Sequence, residues 1–301
     1  MTATTDTEVP AADRAVPPRT TAPTPSGLPG RARRLGLHLL LVAVGALMVG
    51  PLYWLFTSSL KTSGDIHSFP PVWWPSKAEW GNYAQAWRAA PFGDFYLNSV
   101  ITTAVGTALE VANAVLTAYA FVFLRFPFKR VLFAVLLAAL MVPGHVTLLP
   151  NYLTIADLGW INTYQGIIVP GAGSAFAAFL LRQHMLTLPE EVIDAARVDG
   201  AGHLRRLFSV VLPLSRPMVV TVTIVSLVSK WNDFIWPLIV TNTDSMRTLP
   251  VGLLMLKNAE GYVNWGSLMA AVVFVVLPVL LVFLVAQRHI VAGLTQGAVK
   301  G

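Results

Sequence analysis

Long apolar segments, separated by short polar ones, limit the possible folds of this chain more than any other feature. The apolar runs cover about residues 35–60, 95–124, 131–152, 163–181, 218–240 and 267–286. A helix needs about 20 apolar residues to cross the hydrocarbon core of a bilayer. Only helices and closed barrels pair all of their backbone groups in lipid. We therefore predict an all-α polytopic membrane protein with six transmembrane helices.

The composition agrees with this fold class. Hydrophobic residues make up 55% of the chain and charged residues 12%, whereas a soluble domain has about 25% charged residues. The net charge of +6 could suit nucleic acid, but the basic residues are dispersed beside the apolar runs, so we expect a lipid bilayer and no nucleic acid as a partner. The chain has no cysteine, which excludes disulfides and thiolate metal sites. The histidines are scattered, and we expect no metal site.

The basic residues also predict how the helices are oriented. If the N-terminus is inside, most arginines and lysines fall on the inner segments, for example Arg125, Arg130, Arg205 and Arg206. This distribution follows the positive-inside rule and predicts that both termini are cytoplasmic, together with the loop between spans four and five. Residues 1–34, rich in Pro and Thr, are predicted to be a disordered cytoplasmic tail. Residues 35–301 are predicted to form one transmembrane domain.

The polar stretch at about residues 187–217 is predicted to contain two short helices with a bend between them. Thr187 precedes Glu190 by the spacing of a capping box, and Gly200 can adopt a positive φ at the bend. A second amphipathic helix, at about residues 202–211, is predicted to place four apolar residues on one face: Leu204, Leu207, Phe208 and Val211. Periodicity alone also allows a helical hairpin lying on the membrane surface.

The spacing within this stretch is more specific. Asp194-Ala195-Ala196, then Gly200, Val210 and Leu212-Pro213, resembles the signature loop of the membrane-spanning subunits of ATP-driven (ABC) importers. The family usually has Glu where this chain has Asp194, and Ile where it has Val210. The resemblance implies a coupling helix that docks into a groove of a cytoplasmic ATPase subunit. The residues expected to couple are Glu190, Asp194, Ala195, Ala196, Asp199, Gly200, Leu204, Phe208, Leu212 and Pro213.

Other segments resemble carbohydrate-uptake permeases of the maltose type, in the second of their two paired subunits. They are residues 51–61, 69–75 and 231–237, and the C-terminal residues 287–301. The resemblance implies a bacterial-type cell membrane, a second homologous permease, two cytoplasmic ATPase subunits and an extracytoplasmic solute-binding protein. The chain has no phosphate-binding loop motif, so we expect no enzyme activity and no cofactor in this chain, with ATP and Mg²⁺ bound by the partner ATPase.

Ionisable residues inside the apolar runs are costly in lipid and indicate functional positions. At 1.5 Å per residue, Glu110 lies about 22 Å from Phe95, and Lys230 lies about 20 Å from Pro217 on the opposite side. By this count Glu110 is a poor partner for Lys230 and Asp233. Aromatic faces suit sugar rings, and amides and carboxylates suit hydroxyls. The expected substrate pathway comprises Lys230, Trp231, Asn232, Asp233 and Trp236, with Glu110 and Asn113; the alternative is a structural polar cluster.

The sequence therefore predicts a permease subunit of an ATP-driven importer of a mono- or oligosaccharide. One alternative is an importer of another solute, such as a glycerol phosphate or a polyamine. A second alternative is a secondary transporter driven by ions, against which the coupling motif argues.

The topology can be tested with single cysteines, because the natural chain has none. We expect Ser76→Cys to react with an impermeant thiol reagent added outside intact cells. Gln296→Cys should react only after the membrane is opened, because the C-terminus is predicted inside. The reverse labelling pattern would contradict the predicted orientation.

Overall fold

The computed structural model describes residues 30–256 and 264–295. Within these ranges all regular secondary structure is helical and there is no strand, which confirms the all-α fold class. The α-helices are α1 Gly30–Ser59, α2 Ser63–His67, α3 Gly81–Ala89, α4 Phe92–Phe123, α5 Lys129–Leu140, α6 Leu148–Asp157, α7 Tyr164–Ile168, α8 Ala175–Met185, α9 Glu190–Val198, α10 His203–Arg206, α11 Leu212–Leu214, α12 Arg216–Trp231, α13 Ile235–Val240, α14 Leu249–Gly252 and α15 Trp265–Thr295.

Three of these helices are long and apolar enough to cross a membrane unaided: α1, α4 and α15. Three further candidate spans are bent pairs. The axes of α5 and residues 144–157 differ by 96°, those of residues 164–171 and α8 by 44°, and those of residues 203–214 and α12 by 82°. Up to six spans result if each bent pair is one span, so the number of crossings stays a prediction. The predicted fifth span, 218–240, is not one helix, because residues 232–234 separate α12 from α13.

The chain divides into two compact units, residues 1–51 and 52–301. The described part of the first unit is α1 as far as Pro51. That helix begins at Gly30, whereas the first apolar segment was predicted to begin at Leu35. The rest of the predicted tail, residues 1–29, lies outside the described residues. The packing described below belongs to the second unit.

Small residues allow α4 and α8 to pack closely near the C-terminal end of α4. Ala114 and Ala118 on α4 and Ala177 and Ala178 on α8 are buried in one apolar cluster. In membranes such small side chains let helix backbones approach, because helices there associate mainly through close packing. Leu207 joins the same cluster from the segment that follows α9. The cluster therefore fixes the polar stretch against the ends of α4 and α8.

The N-terminal end of α4 is held by buried polar contacts. The Asn98 side chain donates to the backbone oxygens of Ser245 (2.8 Å) and Arg247 (2.9 Å), and it accepts from the Tyr164 hydroxyl (2.7 Å). The Ser99 hydroxyl accepts from the backbone N–H of Leu249 (2.7 Å). These bonds satisfy buried polar groups in an apolar setting, and they join α4 to α7 and to the segment before α14.

The loop after α1 has its own polar anchors. The Lys61 side chain is fully buried, its Nζ lies 3.7 Å from the centre of the Trp54 ring, and burial lowers the pKa of its ammonium. The carboxylate of Asp65 accepts from the Ser76 hydroxyl at 2.7 Å, which lowers the pKa of Asp65. The Lys61 contact fixes the link between α1 and α2, and the Asp65 contact closes the loop between α2 and α3.

Candidate functional site

The first helix of the polar stretch begins later than the predicted capping box requires. Pro189 occupies the N-cap of α9 without a side-chain cap. The Thr187 hydroxyl instead donates to the backbone oxygen of His184 at 2.8 Å. The capping-box prediction is wrong because Thr187 belongs to the turn that ends α8. Glu190 is consequently the first residue of α9, not its third.

The predicted bend lies at Gly200, which has φ +74°. The backbone N–H of Gly200 donates to Arg197 (3.1 Å) and that of Ala201 donates to Ala196 (3.0 Å), which closes the end of α9. A left-handed residue after a helix is usually glycine, since a Cβ there is strained. Open space surrounds the position where a Cβ of residue 200 would lie. The demand for glycine here therefore comes from the backbone alone.

The second helix of the stretch differs from the prediction. Residues 207–211 form a π-helical turn between α10 and α11. Leu207 and Val211 are buried, whereas Leu204 and Phe208 are 70% and 62% exposed. The prediction that these four residues share one face is wrong, because the segment packs on the ends of α4 and α8 with one side only. The other side carries Leu204 and Phe208 outward.

Most of the residues expected to couple are accessible. Ala196 and Leu212 are half-buried, and the others are exposed: Glu190, Asp194, Ala195, Asp199, Gly200, Leu204, Phe208 and Pro213. Val198, 87% exposed, adds a further apolar side chain. An exposed apolar surface of this kind is typical of a protein interaction site. We call residues 190–213 the coupling segment.

A buried ion pair joins α12 to α4. The Lys230 Nζ lies 2.9 Å from Glu110 Oε2, and the two side chains are only 18% and 12% exposed. The same Nζ donates to the backbone oxygen of Gly171 at 2.8 Å, and the Ser226 hydroxyl donates to Glu110 Oε1 at 2.9 Å. A Cβ at Gly106 would lie 3.0 Å from Lys230 Cδ. The absence of a side chain at Gly106 thus lets the aliphatic part of Lys230 pack directly against α4.

The prediction that Glu110 is a poor partner for Lys230 is wrong. It took Phe95 and Pro217 as opposite faces of a hydrocarbon core about 30 Å thick. With 32 residues, α4 is about 48 Å long and therefore extends beyond the hydrocarbon core. Phe95 and Pro217 consequently do not mark the two faces of that core, and depths counted from them are wrong. In addition, side chains lean toward the N-terminus of their own helix. For Lys230 this is the direction from Gly106 toward Glu110.

A cavity of about 710 Å³ opens beside this ion pair. Of the residues predicted to form the pathway, Lys230, Asn232, Asp233 and Trp236 line it. Trp231, Glu110 and Asn113 are not among its lining residues. The Trp231 indole is buried and donates to the backbone oxygen of Val275 on α15 (3.0 Å), while Asn113 is exposed and bonds Thr117 at 3.3 Å.

Sequence reasoning missed several polar residues of this cavity. They are Ser99, Thr102, His145, Thr147, Asn151 and Thr248. A usable signal was present in the helix breaks at Pro143-Gly144 and Pro170-Gly171, because interrupted membrane helices often surround a binding site. Gly144, Pro170 and Gly171 all line the cavity.

The charged residues that line this cavity differ in whether they form an ion pair. Lys230 is neutralised by Glu110, whereas Asp233 forms no ion pair with any described residue. The described lining residues therefore offer one carboxylate and no unpaired lysine or arginine, which favours neutral or cationic groups over anions.

Comparison with known proteins gives one family and several relatives. Residues 110–296 match the family described as binding-protein-dependent transport system inner membrane component. The chain is 33% identical over 266 residues to the sn-glycerol-3-phosphate transport system permease protein UgpE of Yersinia pestis bv. Antiqua (strain Antiqua), covering 86% of this chain and 95% of the relative.

It is also 33% identical over 266 residues to the diacetylchitobiose uptake system permease protein NgcG of Streptomyces coelicolor, covering 87% of this chain and 88% of the relative. Among solved structures, a chain of a bacterial ABC transporter involved in the import of alginate has a similar fold. Its TM-score is 0.77 at 23% identity, and the match covers 89% of this chain and 99% of that chain.

The ion pair predicts a non-additive effect of mutation. Glu110→Leu or Lys230→Met alone should lower the free energy of unfolding by about 3–5 kcal/mol, because each leaves a poorly exposed charge without its partner. The double variant Glu110→Leu/Lys230→Met should recover most of this loss. The measurement is the free energy of unfolding of the detergent-solubilised protein from a denaturant titration.

The exposed pair Asp194–Arg197 (2.8 Å) supplies the control. Asp194→Asn should cost less than about 1 kcal/mol. A double variant at 110 and 230 as unstable as the sum of its single changes would contradict a buried ion pair.

Proposed function

The chain belongs to the family of binding-protein-dependent transport system inner membrane components, and we propose that it forms half of the translocation path of an ATP-driven sugar importer. Membership makes the chain a transporter permease subunit of the inner membrane, not itself an enzyme. It also leaves no support for the ion-driven alternative. We propose that the other half comes from a second homologous permease. Two cytoplasmic ATPase subunits would bind ATP and Mg²⁺, and an extracytoplasmic protein would deliver the solute.

The observation that carries this proposal is the course of α12. This helix begins directly after the coupling segment, at Arg216, and ends at Trp231 beside the cavity. Its 16 residues span about 24 Å. A displacement of the coupling segment is thus transmitted to Lys230, Asn232 and Asp233 by a single helix. The same arrangement supports the proposal that ATP hydrolysis in a partner acts on a solute site in this chain.

The coupling segment would dock through its exposed residues into a groove of the ATPase. Ala195 is exposed and small, so it permits close approach, and Leu204 and Phe208 present apolar surface. Helix-in-groove recognition uses an apolar face of this kind. Gly200 sets the angle between α9 and α10 through its positive φ.

The coupling role predicts separate effects on assembly and on membrane insertion. Gly200→Val should insert and pair with the second permease, but lose co-purifying ATPase and ATP hydrolysis stimulated by the loaded binding protein. A β-branched residue is strained at φ +74°, so the bend would change. Ala195→Trp should have the same effect by blocking close approach. The measurements are co-purification and ATPase activity in reconstituted vesicles.

Gly159→Val is the matched control. Gly159 also has a positive φ, +69°, with open space around its Cβ position, but it lies outside the coupling segment. This variant should keep the ATPase and its stimulation. Normal ATPase binding and stimulation in Gly200→Val would overturn the assignment of the coupling segment.

The cavity supports a neutral sugar as the solute. Its lining offers amides and hydroxyls from Asn151, Asn232 and Thr102 and the carboxylate of Asp233. Such groups accept and donate hydrogen bonds to sugar hydroxyls. Trp236 also lines the cavity, but its indole is buried and donates to the backbone oxygen of Gly166 at 3.1 Å. The one lining ammonium, Lys230, is already paired with Glu110.

A glycerol phosphate is the second candidate, because UgpE relatives carry that substrate in their names. An anionic phosphate would lie near Asp233 without a free cation among the described lining residues of this chain. The electrostatics of the cavity therefore favour the neutral sugar, as does the name of the diacetylchitobiose relative NgcG.

The solute-binding protein that serves this permease provides the test of substrate. We expect it to retain a neutral mono- or oligosaccharide and not sn-glycerol-3-phosphate, measured by mass spectrometry of the released ligand and by calorimetry. Asp233→Asn in this chain should then lower uptake of that sugar about tenfold or more while membrane abundance stays near normal, since one of the two acceptor oxygens that line the cavity becomes an amide donor.

Asp244→Asn is the control for that variant. Asp244 pairs with Arg247 at 3.4 Å and does not line the cavity, so uptake should be unchanged. Retention of glycerol phosphate by the binding protein would reject the neutral sugar, and full uptake by Asp233→Asn would remove Asp233 from the path.

A further inference from the structure

A second cavity, of about 640 Å³, lies between the coupling segment and the C-terminal end of α4. Its polar lining consists of Arg125, Arg197, His203 and Arg206. The remaining wall is apolar and comes from the end of α4 and the residues directly after it. Arg197 lies before the bend at Gly200, and His203 and Arg206 lie after it. Arg125 lies in the link between α4 and α5. The volume is within the range of small-ligand sites.

Arg206 is the unusual member of this lining. It is only 6% exposed, and its Nη2 donates to His203 Nδ1 at 2.9 Å. An arginine can only donate, so His203 Nδ1 accepts and carries no proton in this arrangement. The Tyr119 hydroxyl lies 3.3 Å from the same nitrogen. Arg206 Nε has no hydrogen-bond partner within the described part of the chain.

The acidic residues nearby do not supply the missing counter-charge. Asp194 is engaged by Arg197 at 2.8 Å, and it lines a neighbouring cavity together with Glu190, not this one. Neither Arg125 nor Arg206 forms an ion pair with any residue in the described ranges. A buried guanidinium without a counter-charge is costly. The cavity thus holds the buried Arg206 and the exposed Arg125, neither with an ion-pair partner among the described residues, and no carboxylate in its lining.

We propose that this cavity binds a phosphate-bearing anion through Arg206 and Arg125. A phosphate group offers several oxygens and a charge that can satisfy more than one guanidinium, and arginine binds it through paired N–H donors. Such an anion is either a soluble phosphate compound or the headgroup of an anionic lipid, and the apolar wall beside the end of α4 suits the glycerol and upper acyl region of a lipid. The site is independent of which solute the protein transports.

Bound phosphate would have a structural consequence for the coupling segment. It would connect α10, through Arg206, with the residues after α4, through Arg125. Both elements lie at the end of α4 that carries Tyr119 and packs against Leu207. Occupancy would therefore stabilise the angle at Gly200 by tying the segment after the bend to α4.

The test uses the full chain purified alone in a neutral detergent, so that no nucleotide site of an ATPase subunit is present. In one arm, binding of radiolabelled inorganic phosphate is measured by equilibrium dialysis. In the other, native mass spectrometry follows retention of phosphatidylglycerol against phosphatidylcholine. We expect the wild-type chain to bind at least one of the two anionic probes, and Arg206→Gln and Arg125→Gln each to weaken that binding about tenfold or more.

Arg205→Gln is the matched control, because Arg205 is the exposed neighbour of Arg206 and does not line the cavity. It should bind the probe as the wild-type chain does. Arg125 is exposed, so Arg125→Gln tests the site even if Arg206→Gln fails to fold. Retention of phosphatidylglycerol alone assigns a lipid headgroup, and phosphate binding alone assigns a soluble compound. The proposal would be overturned if the wild-type chain bound neither probe. It would also be overturned if Arg205→Gln and Arg125→Gln weakened binding of the probe equally.

Discussion

The ion pair between Lys230 and Glu110 is the interaction on which the arrangement of the inner helices depends. It joins α12 to α4, and through the backbone oxygen of Gly171 it also reaches the break between α7 and α8. A charge at this depth is tolerated in a membrane protein when it is paired inside the helix bundle. A Cβ at Gly106 would lie 3.0 Å from Lys230 Cδ, so a larger residue there would require the lysine stem to shift by a few tenths of an ångström. One contact thereby fixes the relative depth of three helical segments.

This constraint gives α12 its mechanical role. The helix is held to α4 at Lys230 near one end and by the cluster around Val222 near the other. It therefore cannot slide along α4 without breaking a buried ion pair or opening close packing. A rigid-body rotation preserves more of these contacts than sliding does, since packed interfaces change between discrete arrangements. The cavity lies at the end of α12 that such a rotation moves relative to the broken helices around residues 144 and 171.

The sequence was sufficient for features that depend on local chemistry. The bend at Gly200 follows from one backbone requirement, and the helix break near residue 144 follows from Pro143-Gly144. Features set by packing between distant residues were not accessible. Counting residues could not place Glu110 opposite Ser226, because the register between α4 and α12 depends on helix lengths outside the hydrocarbon core. Likewise, Trp231 looked like part of a sugar site by composition, yet the helix turns its indole toward Val275 on α15.

The distribution of unpaired charge follows the same two helices. Beside the N-terminal half of α4 and the end of α12, the cavity has the carboxylate of Asp233 and no unpaired lysine or arginine among its described lining residues, so it disfavours anions. At the other end of α4, Arg125 and Arg206 have no ion-pair partner among the described residues, so that cavity attracts anions. Lys230 lines the first cavity and is paired with Glu110, so this pair adds no net charge to either cavity. An anion at the coupling segment would therefore act on α4 and the bend at Gly200 through the contacts it makes there, without altering the selectivity of the solute cavity.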